Sequence, residues 1–332
     1  MPKISIITTT YKHQNFIAQT IESVLAQTFI DWELLIWDDS PDDETWNIIQ
    51  KYVEKYPDKI KAWHHKPNKW IVENMNFLLS KVSKDSEYIA FLEGDDMFTS
   101  DNLEKRIEVF ENNLDIWFVY SDYKNIDEKS NIIKKTLIWK LLWIFFWSPE
   151  LKQWKHNISL VKHLKKWNFV RSFGCVMIKK DIFLKYIPFK VPDNQKMFWP
   201  LDYFLWLQIL HNTTFYHIKE PLLLYRLHNN NFSSSDNLKV MYPQVISIYD
   251  FFAKKYKNNK KIVRICEYII NRSWAFYYLH FKNKRKAFSY FMKIYNNFII
   301  IDFINKIKIL FWLMMPKFIY KIVTTYILKN KE

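Results

Sequence analysis

Residues 4–40 read "ISIITTTYKHQNFIAQTIESVLAQTFIDWELLIWDDS", and this stretch predicts a strand, a helix and a second strand. The largely apolar run at 4–11 is bounded by polar residues, which is typical of a strand buried in a parallel sheet. The segment at 32–40 has the same character and ends in two aspartates. Between the two runs, one helical face carries the apolar side chains Ile17, Ile21, Val24 and Leu25.

The alternation of strand and helix continues along the chain. Helices are predicted at 44–56 and 72–82, and strands at 60–65 and 88–96. This pitch predicts an α/β fold with a doubly wound, mostly parallel sheet, in which ligands bind beyond the carboxyl ends of the strands. We therefore expect one crevice to collect the polar residues at those ends, which are Thr9, Tyr11, Asp38, Asp39, Asp95 and Asp96.

The motif "FLEGDD" at 91–96 places three carboxylates within four residues. Glu93, Asp95 and Asp96 repel one another and raise one another's pKa unless a positive charge offsets them. Carboxylate oxygens are the ligands that hard cations such as Mg²⁺ and Mn²⁺ prefer. The motif predicts a divalent metal that carries a nucleotide diphosphate. A solvated loop end is the alternative for such acids taken alone.

The second half of the chain has a looser pattern. A strand that enters a helix is predicted at 173–183, a helix that carries Asp202 at 200–210, and a last strand at 221–228. The polar stretch at 229–237 is the best candidate for a boundary. We predict a catalytic domain over 1–230, followed by a basic, aromatic and helical region over 231–332.

The positive charge belongs to the C-terminal quarter of the chain. Residues 251–332 hold 18 Lys and Arg against 3 acids, and totals of 49 and 34 leave 31 of each in residues 1–250. The tail at 298–332 is apolar but interrupted by Asp302, by lysines and by Pro316, which fits a helix that lies in a membrane interface. Helices packed against the catalytic domain are the alternative. Two cysteines and no apparent secretory leader favour the cytoplasm, at the inner face of the membrane.

The combination of these motifs resembles glycosyltransferase family 2, whose members are inverting enzymes with a GT-A fold. The likeness covers about residues 3–230. It rests on the stretch at 4–40, on "FLEGDD", on "PLDYFLWLQI" and on "EPLLLYRLHNNNFS". The resemblance implies transfer of a sugar from a nucleotide-diphosphate sugar, with UDP as the expected nucleotide. The implied acceptor is a hydroxyl of a glycan or a lipid-linked glycan in cell-envelope synthesis.

The same resemblance implies a role for each matching residue. The base and ribose pocket is assigned to Thr9, Tyr11 and Asp39, with Asn68 and Asn74 near the donor. The metal is assigned to Asp96 first, with Asp95, Glu93 and His228. Asp202 is the implied catalytic base. Each has an alternative, since Asp39 could cap the helix at 44–56, Asp202 could complement a helix dipole, and His228 could be structural.

Two departures from the family pattern bear on function. Leu201 stands where the family carries an acid beside the base, which leaves other functions open, and the absence of the Gln-x-x-Arg-Trp motif of polymer synthases favours addition of a single sugar. A catalytically silent protein that binds nucleotide sugars or acts as a scaffold is one alternative. A nucleic-acid binder is another, but it leaves the acidic motif unexplained, so we expect no nucleic-acid partner.

The chain has 2 glycines and 15 tryptophans. Ordinary usage of about 7% predicts roughly 23 glycines. Relatives carry glycine at the positions of Trp70 and Trp117, and a turn with positive φ favours glycine strongly. We hypothesise that some tryptophans are glycines whose codon, a reassigned stop codon, was read as tryptophan. Drift toward aromatic residues is the alternative.

Overall fold

The computed structural model describes residues 2–133, 155–156, 158–165, 170–192, 198, 200–229, 231, 238–281 and 283–296. The chain divides into two compact units, one that ends at His228 and one that begins at Asn229. The tail at 298–332, for which a membrane contact is predicted, lies outside the described residues.

The first unit is built on one mixed sheet, which has nine strands in the part of the chain that the structure describes. Its order is β3 (Ile60–His64), β2 (Trp32–Asp38), β1 (Ile4–Thr10), β4 (Tyr88–Phe91), β8 (Val176–Lys179), β6 (Phe118–Ile126), β9 (Phe215–Arg226) and β5 (Met97–Phe98), with β7 (Lys155–His156) beside β9. The first four strands in this order are parallel. Strand β8 runs antiparallel between β4 and β6, and β6 and β9 are parallel.

Helices follow the strands as predicted. The first unit contains α1 (Ile17–Leu25), α2 (Glu44–Lys55), α3 (Trp70–Ser80), α4 (Asn102–Asn112), α5 (Leu160–Lys165), α6 (Lys180–Phe183) and α7 (Leu201–Ile209). The predicted α/β fold with a mostly parallel, doubly wound sheet is confirmed.

The packing of the core explains why β1 shows no alternation between buried and exposed residues. Strand β1 lies at the centre of the parallel region, and its residues are buried except for the partly exposed Thr9. The α1 side chains Ile17, Ile21 and Val24 are fully buried in the same apolar cluster. Alternate burial is absent from β1 because both faces of a parallel sheet are covered by helices.

Gln27 connects α1 to the residues that follow β5. Its Nε2 donates to the Thr99 carbonyl at 2.7 Å, and its Oε1 accepts from the Leu103 amide at 3.1 Å. The buried amide thereby holds the start of α4 against the end of α1.

Two strand boundaries differ from the sequence prediction. The strand predicted at 88–96 ends at Phe91, because the chain turns at the acidic residues. The last strand begins at Phe215, six residues before the predicted start, because it pairs with β6 over most of its length. Both differences come from tertiary pairing, which the local pattern does not contain.

The second unit contains three described helices, α8 (Leu238–Lys255), α9 (Lys260–His280) and α10 (Lys284–Asn296), and α9 packs against the other two. The Asn259 side chain caps α9 by accepting from the Ile262 amide at 3.2 Å. Among the described residues no helix is both long enough and apolar enough to cross a bilayer.

The two positions where glycine is expected have different backbones. Trp70 has φ of 66°, one of three left-handed non-glycine residues among those described. Trp117 lies outside that region, and its amide donates to the Thr214 carbonyl at 3.0 Å. The conformational argument for glycine therefore holds at Trp70 and fails at Trp117.

Paired substitutions separate backbone strain from loss of the ring. The two tryptophans are similarly exposed, at 38% and 36%. We expect Trp70→Gly to be more stable than Trp70→Ala by about 1–2 kcal/mol, because a Cβ is disfavoured at left-handed φ. At Trp117 the order should reverse, with alanine better by about 0.5–1 kcal/mol. Urea denaturation of the four variants measures this, and equal stability of both variants at position 70 would contradict a left-handed backbone there.

Candidate active site

Residues 92–96, called here the acidic turn, connect β4 to β5. The Gly94 amide donates to the Thr9 carbonyl at 3.0 Å. The Thr20 hydroxyl of α1 lies 3.1 Å from the Gly94 carbonyl and 2.8 Å from the Asp96 carbonyl. The turn is therefore held against the end of β1 and the body of α1, at the carboxyl edge of the sheet.

Both glycines of the chain lie in contact with this turn. A Cβ at Gly94 would lie 2.5 Å from the Thr10 Cβ. A Cβ at Gly174 would lie 2.8 Å from Leu223 Cδ1 and 3.0 Å from Glu93 Oε2. Any side chain at either position forces β1, β9 or Glu93 to move. In a chain with 2 glycines, both occur where the acidic turn requires close packing.

Asp96 is buried and paired with the backbone of β9. Its Oδ1 accepts from the Arg226 amide at 2.8 Å, while its Oδ2 is buried without a hydrogen-bond partner among the described residues. Burial first, and then the charges of Asp95 and Glu93, raise the pKa of Asp96 well above its usual value. Asp96 therefore has one oxygen bound by the Arg226 amide and one buried oxygen without a hydrogen-bond partner among the described residues.

The Arg226 guanidinium holds the acidic turn in place. Its Nε donates to the Asp95 carbonyl at 2.7 Å, and one Nη donates to Gln19 Oε1 at 2.7 Å. The other Nη lies within 3.2 Å of oxygens of Asp127, Glu128 and Ser130. The group also lies over the Phe16 ring. A planar fork of donors suits this arrangement, because each nitrogen meets a different segment of chain.

Asp95 lies between two histidines. His228 Nε2 lies 3.0 Å from Asp95 Oδ2, and His13 Nε2 lies 3.8 Å from the same oxygen. Burial by itself would raise the pKa of Asp95, but His13 and His228 outweigh it and lower that pKa. One ligand atom from each of the three residues lies within 4.8 Å of the other two, which is close enough to hold a metal ion.

Glu93 is the first acid of the acidic turn, and Asp202 is close enough to influence it electrostatically. Glu93 accepts from the Ser172 hydroxyl at 3.0 Å and from the Gly174 amide at 3.1 Å. Burial above all, then the charge of Asp95 and to a smaller extent that of Asp202, raise the pKa of Glu93 to about 7. Asp202 is in the first turn of α7, and its Oδ1 accepts from the Tyr203 amide at 2.6 Å. The predicted base is thus within electrostatic reach of the acidic turn.

Asp39 orders the loop that precedes α3. Its two oxygens accept from the amides of Lys69 and Trp70 at 2.8 and 3.1 Å, and Asn68 Oδ1 accepts from the same Trp70 amide at 2.8 Å. Tyr11 is 42% exposed at the end of β1. Asn74 is buried on α3, and its Oδ1 has no hydrogen-bond partner among the described residues.

The structure brings most of the predicted site residues to one edge of the sheet. Thr9 reaches the acidic turn through its carbonyl group, whereas Asn74 lies in the buried face of α3. Sequence reasoning missed His13, Arg226, Ser172 and Gly174. Two of these had a usable signal, since Arg226 is two residues before His228 and Gly174 is one of only 2 glycines.

The chain belongs to glycosyl transferase family 2, whose family model matches residues 5–187. It is 30% identical over 234 residues to the UDP-Glc:alpha-D-GlcNAc-diphosphoundecaprenol beta-1,3-glucosyltransferase WfgD of Escherichia coli, which covers 70% of this chain and 80% of WfgD. It is also 37% identical over 110 residues to the putative glycosyltransferase EpsE of Bacillus subtilis. That match covers 33% of this chain and 39% of the length of EpsE.

The solved structures confirm the predicted GT-A fold. S. aureus TarS 1–349 in complex with UDP-GlcNAc superposes with a TM-score of 0.58, at 14% sequence identity and with 89% of each chain covered. At this identity the likeness concerns the fold. The arrangement of side chains described above comes from this chain's own residues.

Arg226→Lys tests whether the guanidinium fork holds the acidic turn. Lysine keeps the charge but reaches fewer of the five acceptors, which are three backbone carbonyls, the Gln19 side-chain carbonyl and the Ser130 hydroxyl, so several of them lose their donor. We expect the free energy of unfolding to fall by about 3 kcal/mol. Lys3→Met is the control, because Lys3 forms a more exposed pair with Glu111 and its loss should change stability by less than about 1 kcal/mol. Equal effects in chemical denaturation would refute the role of Arg226.

Proposed function

We propose that this chain is an inverting glycosyltransferase that moves a sugar from a UDP-sugar to a hydroxyl acceptor in cell-envelope or surface-glycan synthesis. The observation that carries the proposal is the convergence at one sheet edge of three elements. They are the nucleotide loop ordered by Asp39, the acidic turn flanked by His13 and His228, and Asp202 at the start of α7. Family membership and the WfgD and TarS likenesses support it.

The donor nucleotide is assigned to the edge formed by β1 and β2. Asp39 is close to the exposed Tyr11 in the crevice beyond the strand ends, where α/β sheets bind their ligands. Thr9 and Asn68 complete this side, and Asn74 supports it from α3. The UDP-glucose named for WfgD and the UDP-GlcNAc in the TarS complex favour uridine as the base.

A divalent cation, Mn²⁺ or Mg²⁺, fits the donor set on the other side of the crevice. Asp95 and His228 supply an oxygen and a nitrogen 3.0 Å apart, and the buried Asp96 Oδ2 has no protein partner among the described residues. Glu93 adds to the negative charge of the acidic turn, although both its oxygens accept protein hydrogen bonds. When bound, such a cation offsets the charge of the departing diphosphate.

Asp202 is the proposed general base. The acceptor hydroxyl must lose a proton as its oxygen attacks the sugar C1, and a carboxylate within hydrogen-bond reach can accept that proton. Asp202 is close enough to Glu93 for its charge to act on that carboxyl group, and we assign the acceptor to this side of the acidic turn, opposite to the diphosphate. One displacement from that face inverts the configuration at C1, and no covalent intermediate is required.

The proposed acceptor is a wider chemical class than the proposed donor. The acidic neighbour of the base is replaced by the buried Leu201, so this position offers no hydrogen bond to a sugar. The acceptor named for WfgD is a sugar on diphosphoundecaprenol. A glycan or lipid-linked acceptor at the inner face of the cell membrane is the proposal for this chain.

The second unit supports a peripheral membrane contact. Helix α10 buries Ala287, Phe291 and Ile294, while Phe288 is 51% exposed and Met292 is 38% exposed. Arg285 and Lys293 are exposed on the same helix. Apolar side chains beside basic ones suit the surface of an anionic bilayer, where each basic residue adds about 1 kcal/mol.

Asp202→Asn should abolish transfer and preserve donor binding. The amide keeps the size of the side chain but accepts no proton, so we expect sugar transfer to fall by about 10²–10⁴-fold. Stabilisation by a UDP-sugar with Mn²⁺, measured as a shift in melting temperature, should remain. Asp181→Asn is the control, because Asp181 is also in the first turn of a helix and is exposed.

The outcomes separate the two candidate functions. A wild-type protein that is stabilised by UDP-sugars but neither transfers nor hydrolyses them is the silent nucleotide-sugar binder. A protein that no UDP-, GDP- or dTDP-sugar stabilises, with or without Mn²⁺, contradicts both. Full activity in Asp202→Asn contradicts the assignment of the base and leaves the donor assignment in place.

The membrane contact is tested on the full chain with Phe288→Ser and Met292→Ser together. Loss of two exposed apolar side chains should lower the fraction bound to vesicles of phosphatidylcholine with 30 mol% phosphatidylglycerol by about tenfold or more. Leu114→Ser is the control, since Leu114 is 80% exposed in the first unit. Unchanged flotation of the double variant would show that α10 does not contact the bilayer.

A further inference from the structure

His13 is a mostly buried side chain, 16% exposed, and among the described residues no hydrogen bond to its ring nitrogens is found. Its Nδ1 is buried, and its Nε2 lies 3.8 Å from Asp95 Oδ2, beyond hydrogen-bond range. Buried polar groups without a partner are rare in native proteins. With the ring proton on Nδ1, the lone pair of Nε2 is free to bind a ligand beside Asp95.

The backbone fixes where the imidazole lies. The His13 carbonyl accepts from the amides of Phe16 and Ile17 at 2.9 and 2.8 Å, at the start of α1. The ring meets the His228 ring edge to face at 5.9 Å. The Nε2 atoms of both histidines approach the same oxygen of Asp95, from β1 on one side and from β9 on the other.

The three atoms have a spacing that suits a metal ion. Bonds of about 2.1 Å place neighbouring octahedral ligands about 3 Å apart and opposite ligands about 4 Å apart. The separations from Asp95 Oδ2 are 3.0 Å to His228 and 3.8 Å to His13. Small side-chain adjustments would bring all three to one ion, with positions left for other ligands.

The identity of the ligands bears on the identity of the metal. Mg²⁺ takes oxygen ligands almost entirely, whereas imidazole suits first-row transition ions. Two nitrogens and one carboxylate oxygen therefore favour Mn²⁺ over Mg²⁺. We propose that His13 is a third protein ligand, with Asp95 and His228, and that this set makes the site selective for a transition-metal dication. The inference rests on the proposed function for the place of the site.

Manganese spectroscopy on the full-length protein without donor tests the assignment. Pulsed electron paramagnetic resonance of bound Mn²⁺ should show couplings to two imidazole nitrogens in the wild type and to one in His13→Gln. The Mn²⁺ dissociation constant should rise by about 10–100-fold in that variant. Mg²⁺ should compete for the site only at about 100-fold excess or more in the wild type, and at lower excess in His13→Gln.

His217→Gln is the matched control, because His217 also pairs with a carboxylate, Asp122, at 2.8 Å. It should keep both nitrogen couplings and the wild-type affinity. The wild-type spectrum tests the proposal even if His13→Gln fails to fold. One nitrogen coupling in the wild type, or an unchanged affinity in a folded His13→Gln, overturns the role of His13.

Failure of this inference is distinguishable from failure of the proposed function. Sugar transfer that persists in EDTA, with no bound Mn²⁺, overturns the metal site and leaves the glycosyltransferase standing. Two nitrogen couplings in a protein that transfers no sugar support the metal site and remove the enzyme assignment.

Discussion

Three carboxylates on one buried turn constrain the rest of this structure. Glu93, Asp95 and Asp96 repel one another, and burial raises the free energy of each charge. The surrounding protein offsets this with donors from several segments. Arg226 grips the turn from β9, His228 contacts Asp95, and Ser172 and Gly174 donate to Glu93. We propose that a bound cation offsets the negative charge that remains.

Close packing around the acidic turn is the second constraint, and it applies at both glycines of the chain. Gly94 touches Thr10 of β1 and Gly174 touches Leu223 of β9, so the turn has no room for a Cβ on either side. At Trp70 the requirement is different, because the backbone is left-handed and the amide is bound by Asp39. A chain with few glycines thus retains them where sterics forbid any side chain, while a conformational penalty of about 1–2 kcal/mol at Trp70 is tolerated.

The local sequence predicts some residues of the site better than others. The alternation of strand and helix over residues 4–96 predicted which carboxylates follow the ends of strands. These carboxylates were expected to lie near one another, because parallel strands place their carboxyl ends at one edge of the sheet. The last strand was predicted at 221–228 and ends at Arg226, so His228 follows it and lies 3.0 Å from Asp95 Oδ2. Arg226 in the same segment was not predicted as a contact, although its place two residues before His228 was a usable signal, because a strand pattern does not indicate which groups an arginine meets. His13 was missed because a lone histidine after a strand is most often structural.

The sequence alone determined the order of elements, the strand ends and the family, because periodicity and motif spacing are local properties of the chain. It also placed Asp39, Asp95 and Asp96 near strand ends and Asp202 in a helix, and the family resemblance predicts that they bind the donor and the metal or act as the base. Only the tertiary structure decided how these acids differ from one another. Asp96 received the amide of Arg226, Glu93 received Ser172 and Gly174, and Asp95 received two imidazoles. Those partners, His13 included, are 79 to 133 residues away in the chain, and long-range packing alone brings them together.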